Sequence, residues 1–241
     1  MSHRREQKES LRRERERREA EARAAEQRKR LIGVAGAVVL ALAAIAVVLV
    51  VASGSGGDSG NGSVKGNGDL FPTGGSIPKQ KVFDLSKAAA AAGCELKSNP
   101  STSRSHSTDL NAKVNYNTNP PNSGKHYYVP ADDGLYNGTP PRDVQLVHTQ
   151  EHGRVIIWVK PSLPREDRQQ IRALFDEDSY QMVVVERRNM PDAIAATAWS
   201  KDPTPLGTGR TMGCPSWNEN VIDALRAFRD EHRSNGPEPV P

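Results

Sequence analysis

The stretch "VQLVHTQEHGRVIIWVKP", Val144 to Pro161, decides how the rest of the chain is read. In its first half Val144, Leu146 and His148 alternate with Gln145, Val147 and Thr149, the period of a half-buried strand. Its second half, "RVIIWVKP", is a β-branched and aromatic run that also suits a strand. The pair predicts consecutive strands with "EHG" at or near their junction. Around them, "YQMVVVE" and "AIAATAWS" supply two more strands, and "KVFDL" and "AKVNYN" (Ala112 to Asn117) show strand-like alternation. "SKAAAAAG" reads as a short helix ending at Gly93. "LPREDRQQIRALF" reads as a second, with Pro164 and the acids Glu166 and Asp167 in its first turn and Ile171, Leu174 and Phe175 as its buried stripe. A third has Ser216 and Glu219 as a capping box and Val221, Ile222, Leu225 and Phe228 on one face, and Asn235-Gly236-Pro237 stops it. Strands outnumber helices and the connections are local. The expected fold is α+β, a mainly antiparallel sheet with flanking helices, over residues 81–241.

The segment before it has a different composition. Leu31 to Ala52 holds no charged or strongly polar residue over 22 positions. As a helix it would be ~33 Å long, enough for a hydrocarbon core of about 30 Å. A cleaved signal peptide normally has a shorter apolar region and a clearer small-residue cleavage site than "VVASGSG". One uncleaved transmembrane helix, residues 31–52, is expected. "RKR" at Arg28 to Arg30 flanks it on one side and "SGSGGDSGNG" on the other, so the positive-inside rule places the N-terminus in the cytoplasm and everything after Ala52 outside. Residues 1–30 form a charged cytoplasmic tail with Arg and Glu at i,i+3 and i,i+4, an exposed helix that lacks the apolar stripe of a coiled coil. Residues 53–80 are rich in Gly, Ser and Asn and read as a tether.

Charge excludes one class of function. The chain carries a net +4, but residues 1–30 alone hold 12 Lys/Arg against 7 Glu, and the other 211 residues are net −1. The basic character belongs to the tail, so the domain is not expected to bind nucleic acid. The membrane is the partner that the sequence implies. Cys94 and Cys214 both follow the apolar run and lack C-x-x-C spacing. In an oxidising exterior the expected state is a structural disulfide.

Chemistry concentrates in the histidines. Four of the six, His106, His126, His148 and His152, fall within 47 residues. Imidazole clusters suit zinc and copper, so His126, His148 and His152, with His106, are the candidate metal ligands. Glu151 is expected to orient an imidazole from the second shell. Met190 and Met212 are further soft donors, although methionine more often fills gaps in a core. H-x-x-E-H also matches a metalloprotease pattern, but that chemistry needs both histidines on one helix. An extended strand would hold them about 13 Å apart. The turn-rich segment Asn119 to Pro141, with its Pro-Pro pairs and tyrosines, reads as an ordered loop available to an envelope partner. Neither a complete phosphate loop nor a G-x-S-x-G elbow is present.

Several blocks resemble, in order, an uncharacterised bacterial family called domain of unknown function 3105. They are "GCE" around Cys94, the histidine before "VNYNTNPPNSGKH", "GLY", "VHTQEHGRVIIWV", "AATAW" and the closing "GPE". The likeness runs from about Lys81 to Glu238. The family's P-P-T-S-G-P-H block is altered here at Asn122 and Lys125 but keeps Gly124 and His126, and its H-x-x-E-H-G block is intact. The resemblance implies a commonly membrane-anchored protein, the domain's limits and the site's location. It implies no reaction.

Three functions follow from these readings. The leading one is an extracytoplasmic, membrane-tethered domain that binds copper or zinc, without being an enzyme. The second is a metal-dependent hydrolase with Glu151 as base. The third is a non-enzymatic envelope scaffold contacting its partner through Asn119 to Pro141. A periplasm-dependent reporter enzyme fused after Pro241 is expected to be active, and the same reporter fused before Arg28 inactive; the reverse pattern overturns the orientation.

Overall fold

In the computed structural model, which describes residues 69–238, Val155 to Val159 forms a strand with all five side chains buried. That is why it reads as a continuous apolar run: a strand covered on both faces has no polar side to show. Val155, Ile157 and Val159 point into one cluster of core residues, and Ile156 and Trp158 into another. The sheet is thus the middle layer of the domain.

The elements are, in order, α1 (Leu85–Ala92), β1 (Glu95–Pro100), β2 (His106–Ser107), β3 (His126–Tyr127), β4 (Gly134–Leu135), α2 (Asp143–Glu151), β5 (Val155–Val159), α3 (Arg165–Glu177), β6 (Met182–Glu186), β7 (Ile194–Ser200), β8 (Thr208–Cys214) and α4 (Val221–His232). Six strands form one sheet in the order β1-β8-β7-β5-β6-β4, and β2 pairs with β3 in a separate ribbon. The pairs β1–β8, β8–β7 and β7–β5 are antiparallel. The pairs β5–β6 and β6–β4 are parallel, and α3 makes the crossover from β5 to β6. The fold is α+β with a mainly antiparallel sheet, as expected. Residues of α1, α3 and α4 pack on one face of the sheet, and Leu146 of α2 packs on the other with Ala131 and Met190.

Local rules explain most helix boundaries. Asp84 caps α1 by accepting from the Lys87 N–H, and Gly93 ends it in the left-handed region at φ 67°. In α3, Pro164 is the N-cap, Glu166 and Asp167 lie in the first turn, and Ile171 and Leu174 are buried.

Four expectations are corrected. "VQLVHTQ" is not a strand but the body of α2. Seven of its nine residues are buried, so no exposed face marks the helical period and the apparent alternation carries no information. The Ser216–Glu219 box does not form; α4 starts at Val221 with Asn220 as N-cap. The side-chain amides of Asn218 and Asn220 instead donate to the Ala92 and Ala91 carbonyls, which holds the chain non-helical up to that point. "AKVNYN" and "KVFDL" are not strands. The Lys81 and Val82 N–H groups bond the Asp223 carboxylate rather than a neighbouring strand.

Packing also begins upstream of Lys81. Phe71 is fully buried in the core, and the Arg168 guanidinium donates to the Leu70 carbonyl. The charged tail and the apolar run, residues 1–30 and 31–52, lie outside the described residues, as does the tether up to residue 68. Among the described residues no helix is long and apolar enough to cross a membrane.

Cys94 and Cys214 form the expected disulfide, which joins residues 120 apart and ties the start of β1 to the end of β8. Loop-closure entropy values a bridge of that span at about 4–5 kcal/mol. Replacing both cysteines by serine is expected to lower the unfolding free energy by about that much, read from the denaturant midpoint; an unchanged midpoint would remove the disulfide from the account of stability.

Candidate metal centre

Helix α2 sets the geometry. His148 and Glu151 are three residues apart, so they share a face of its last turn. Gly153 then turns the chain at φ 81° into β5. A side chain there would press on Ser234 and Gly236, and one at Gly236 would sit 2.2 Å from the Glu151 carbonyl. The C-terminal strap can therefore lie directly across the end of α2, where the Ser234 N–H donates to the Gly153 carbonyl and the Glu238 N–H to that of Glu151.

The other two histidines arrive on the β2–β3 ribbon. The pairing is parallel, with His106 directly opposite His126. Their ring centroids are 4.4 Å apart, and the His148 ring lies 4.9 Å from His106 and 4.6 Å from His126. One ligand atom from each of His106, His126, His148 and Glu151 falls within 4.8 Å of all the others. In a tetrahedron with bonds of about 2.1 Å, ligand atoms are roughly 3.4 Å apart, so the set closes on an ion by small side-chain shifts.

Hydrogen bonds select the tautomers. Nδ1 of His126 is 2.8 Å from the Gly124 carbonyl and Nδ1 of His148 is 2.7 Å from that of Tyr127. A carbonyl only accepts, so each Nδ1 carries a proton, and in the neutral ring each Nε2 keeps the lone pair, the arrangement common to metal-bound imidazoles. Nε2 of His126 then faces Oε2 of Glu151 at 3.0 Å without hydrogen-bond alignment, and both atoms are buried with no hydrogen-bond partner. Two acceptors pressed together away from water repel unless a cation lies between them or a second proton charges the ring. The donor set suits a cation.

Glu151 is fully buried, and its other oxygen accepts from Nε of Arg104 at 2.7 Å. Burial is the largest single influence on this carboxyl and would raise it. Without an ion in the site, a protonated His126 and Arg104 together outweigh burial and hold it at about 2. It is therefore an anion under any working condition. His148 is pushed the other way: burial first, then the charges of His126 and His152, bring it down to about 4 against the opposing pull of the Tyr127 carbonyl. It is therefore neutral, and able to ligate, well below neutral pH.

The structure brings together His106, His126 and His148 from the expected ligands and adds Glu151 itself as a donor. His152 stands apart. Its ring packs on His148 at 4.4 Å between centroids, but it is not one of the four clustered donors. It follows the last helical residue as the C-cap, so its backbone has already left the helix. The strand reading had put His148 and His152 far apart; the helix makes them neighbours. Met190 and Met212 are buried in the hydrophobic clusters, and the cysteines are paired, so the centre holds no sulfur from them. Sequence reasoning missed Arg104. Its signal was the spacing in "RSH", since alternate residues of an extended chain share a face.

The family described as "Protein of unknown function (DUF3105)" matches residues 107–240, more than half of the chain. The match begins one residue after His106 and contains His126, His148 and Glu151. No curated protein and no solved structure matches the chain.

In metal-free protein His148 and Glu151 give opposite reasons for the same acid sensitivity. Between about pH 6.5 and 4 the unfolded chain protonates residue 148 and the folded chain does not, so stability falls as pH drops through that window. The depressed Glu151 carboxyl stabilises the fold above its ordinary value of 4.5, and that contribution is lost as pH falls towards about 2. His232, which burial also brings down to about 4, adds to the upper window, so His148→Gln is expected to make that window shallower and leave the lower one, measured by urea unfolding with chelator at a series of pH values; an unchanged upper window would mean that His148 contributes nothing to it.

Proposed function

The chain belongs to this family of unknown function, and from the chemistry of its buried donors we propose that it is a membrane-tethered, extracytoplasmic domain that binds a transition-metal ion through His106, His126, His148 and Glu151. The observation that carries the reading is the contact at 3.0 Å between His126 Nε2 and Glu151 Oε2, both buried and neither with a hydrogen-bond partner. The apolar run at 31–52, its basic flank and the disulfide support the tether and the outside location.

Three imidazoles and one carboxylate favour zinc(II) or copper(II). Copper(I) prefers the thiolate and thioether donors that this group lacks. A binding role is favoured over hydrolysis. A general base works best with a pKa near the operating pH, and the Arg104 and His126 contacts hold Glu151 far below it. As a ligand the same carboxylate is always ready. The exposed Tyr128 and Val129 favour an added role for the loop 119–141, as the surface met by an envelope partner.

The full chain, purified in detergent and dialysed against zinc or copper(II), is expected to retain one ion per chain, measured by elemental analysis. His126→Ala and Glu151→Gln are each expected to reduce retention by at least about tenfold in affinity, since even groups that only support ligands contribute 10–100-fold. Equal, negligible metal in the wild type and in both variants would reject the reading.

A further inference from the structure

The four donors are not equivalent. His126 and Glu151 are fully buried and His148 nearly so, whereas the His106 side chain is 42% exposed. Backbone carbonyls hold the rings of His126 and His148 in place, and Arg104 holds Glu151. Among the described residues no hydrogen bond holds the His106 ring, whose Nε2 lies 3.7 Å from Oε2 of Glu151. The supports of these residues differ in the same sense. His148 and Glu151 stand on a nine-residue helix packed against the sheet, and His126 on the strand of the ribbon that packs on that helix, but His106 stands on the ribbon's other two-residue strand, which pairs only with β3. Three donors form a fixed inner tripod. The fourth closes it from the solvent side.

A ligand that is both exposed and unanchored is the one an incoming donor can displace. We propose that His106 is the exchange ligand of this centre, and that the domain passes its ion to, or takes it from, a polydentate acceptor that enters on the His106 side; this rests on the metal-binding reading. No electrons move in the exchange. A donor of the acceptor bonds to the ion as the bond to His106 Nε2 breaks, and His106 leaves as neutral imidazole. The bonds to His126, His148 and Glu151 then break in turn as further acceptor donors replace them, and Glu151 is left as the carboxylate paired with Arg104. A purely structural centre would instead bury all four ligands and release its ion only when the fold opens.

The two modes differ in kinetics. The full chain in detergent, loaded with one equivalent of zinc, is mixed with EDTA over a tenfold range of excess, and release is followed with time. The expected result is a release rate that rises in proportion to EDTA. His106→Ala and His106→Asn, with folding checked by circular dichroism, are expected still to bind one ion but to release it on the order of tenfold or more faster at equal EDTA. His126→Ala is expected to hold none. A wild-type rate independent of EDTA overturns the proposal. So do His106 variants that lose the ion as completely as His126→Ala, or that release it at the wild-type rate. In each of these results the wild type still binds its ion, so the metal-binding reading survives; a wild type that retains neither zinc nor copper(II) rejects both.

Discussion

The carboxylate of Glu151 is the constraint around which the site is built. An unpaired charge in a protein interior costs several kcal/mol, so a fully buried glutamate has to be met by its neighbours. One oxygen is met by Arg104, the other is in contact with His126 and near His106, and the backbone carbonyl of the same residue accepts from Glu238. One residue at the end of α2 thereby gathers the chain before β2, the β2–β3 ribbon and the C-terminal strap. These segments are distant in sequence, and none of them has an extensive hydrogen-bonded ladder of its own.

The rest of α2 does the same for the long irregular segment before it. Buried backbone groups need partners, and a loop without regular structure must find them in side chains. Thr149 accepts from the Ala131 N–H and bonds the Ala131 carbonyl, Gln150 donates to the Pro121 carbonyl, and His148 donates to that of Tyr127. At the other end of the helix Arg187 makes a two-pronged ion pair with Asp143 and bonds the Asn119 side chain. The polar residues that make α2 look unlike an amphipathic helix are the ones that order the loop. The sheet beneath contributes rigidity: Trp158 spans to Thr197 through its indole N–H, and both faces of β5 are filled.

Legibility differed by element for identifiable reasons. β5, β6 and β7 were readable because strands buried on both faces leave uninterrupted apolar runs, and α3 because its stripe and its acidic first turn face different surroundings. The disulfide followed from two cysteines beyond an apolar run. α2 was misread because burial on nearly every side erases period. β8, "TGRTMGC", was missed because two glycines and a mixture of small and polar residues resemble a turn, although six of its seven residues are buried. The Asn218 and Asn220 contacts to α1 displaced a capping signal that was locally well formed.

Composition and spacing alone determined that imidazoles cluster within a short span, that a carboxylate accompanies them, and that the domain combines helices with a sheet. Residue type is a local property, and so is a strong apolar period. Which of the four histidines face one another was decided only by tertiary structure. The parallel register that sets His106 opposite His126, and the helix that turns Glu151 inward while His152 leaves at its end, depend on contacts between segments far apart along the chain. No local pattern encodes a register between two strands of two residues each; the burial of one glutamate beside Arg104 and His126 sets it from a distance.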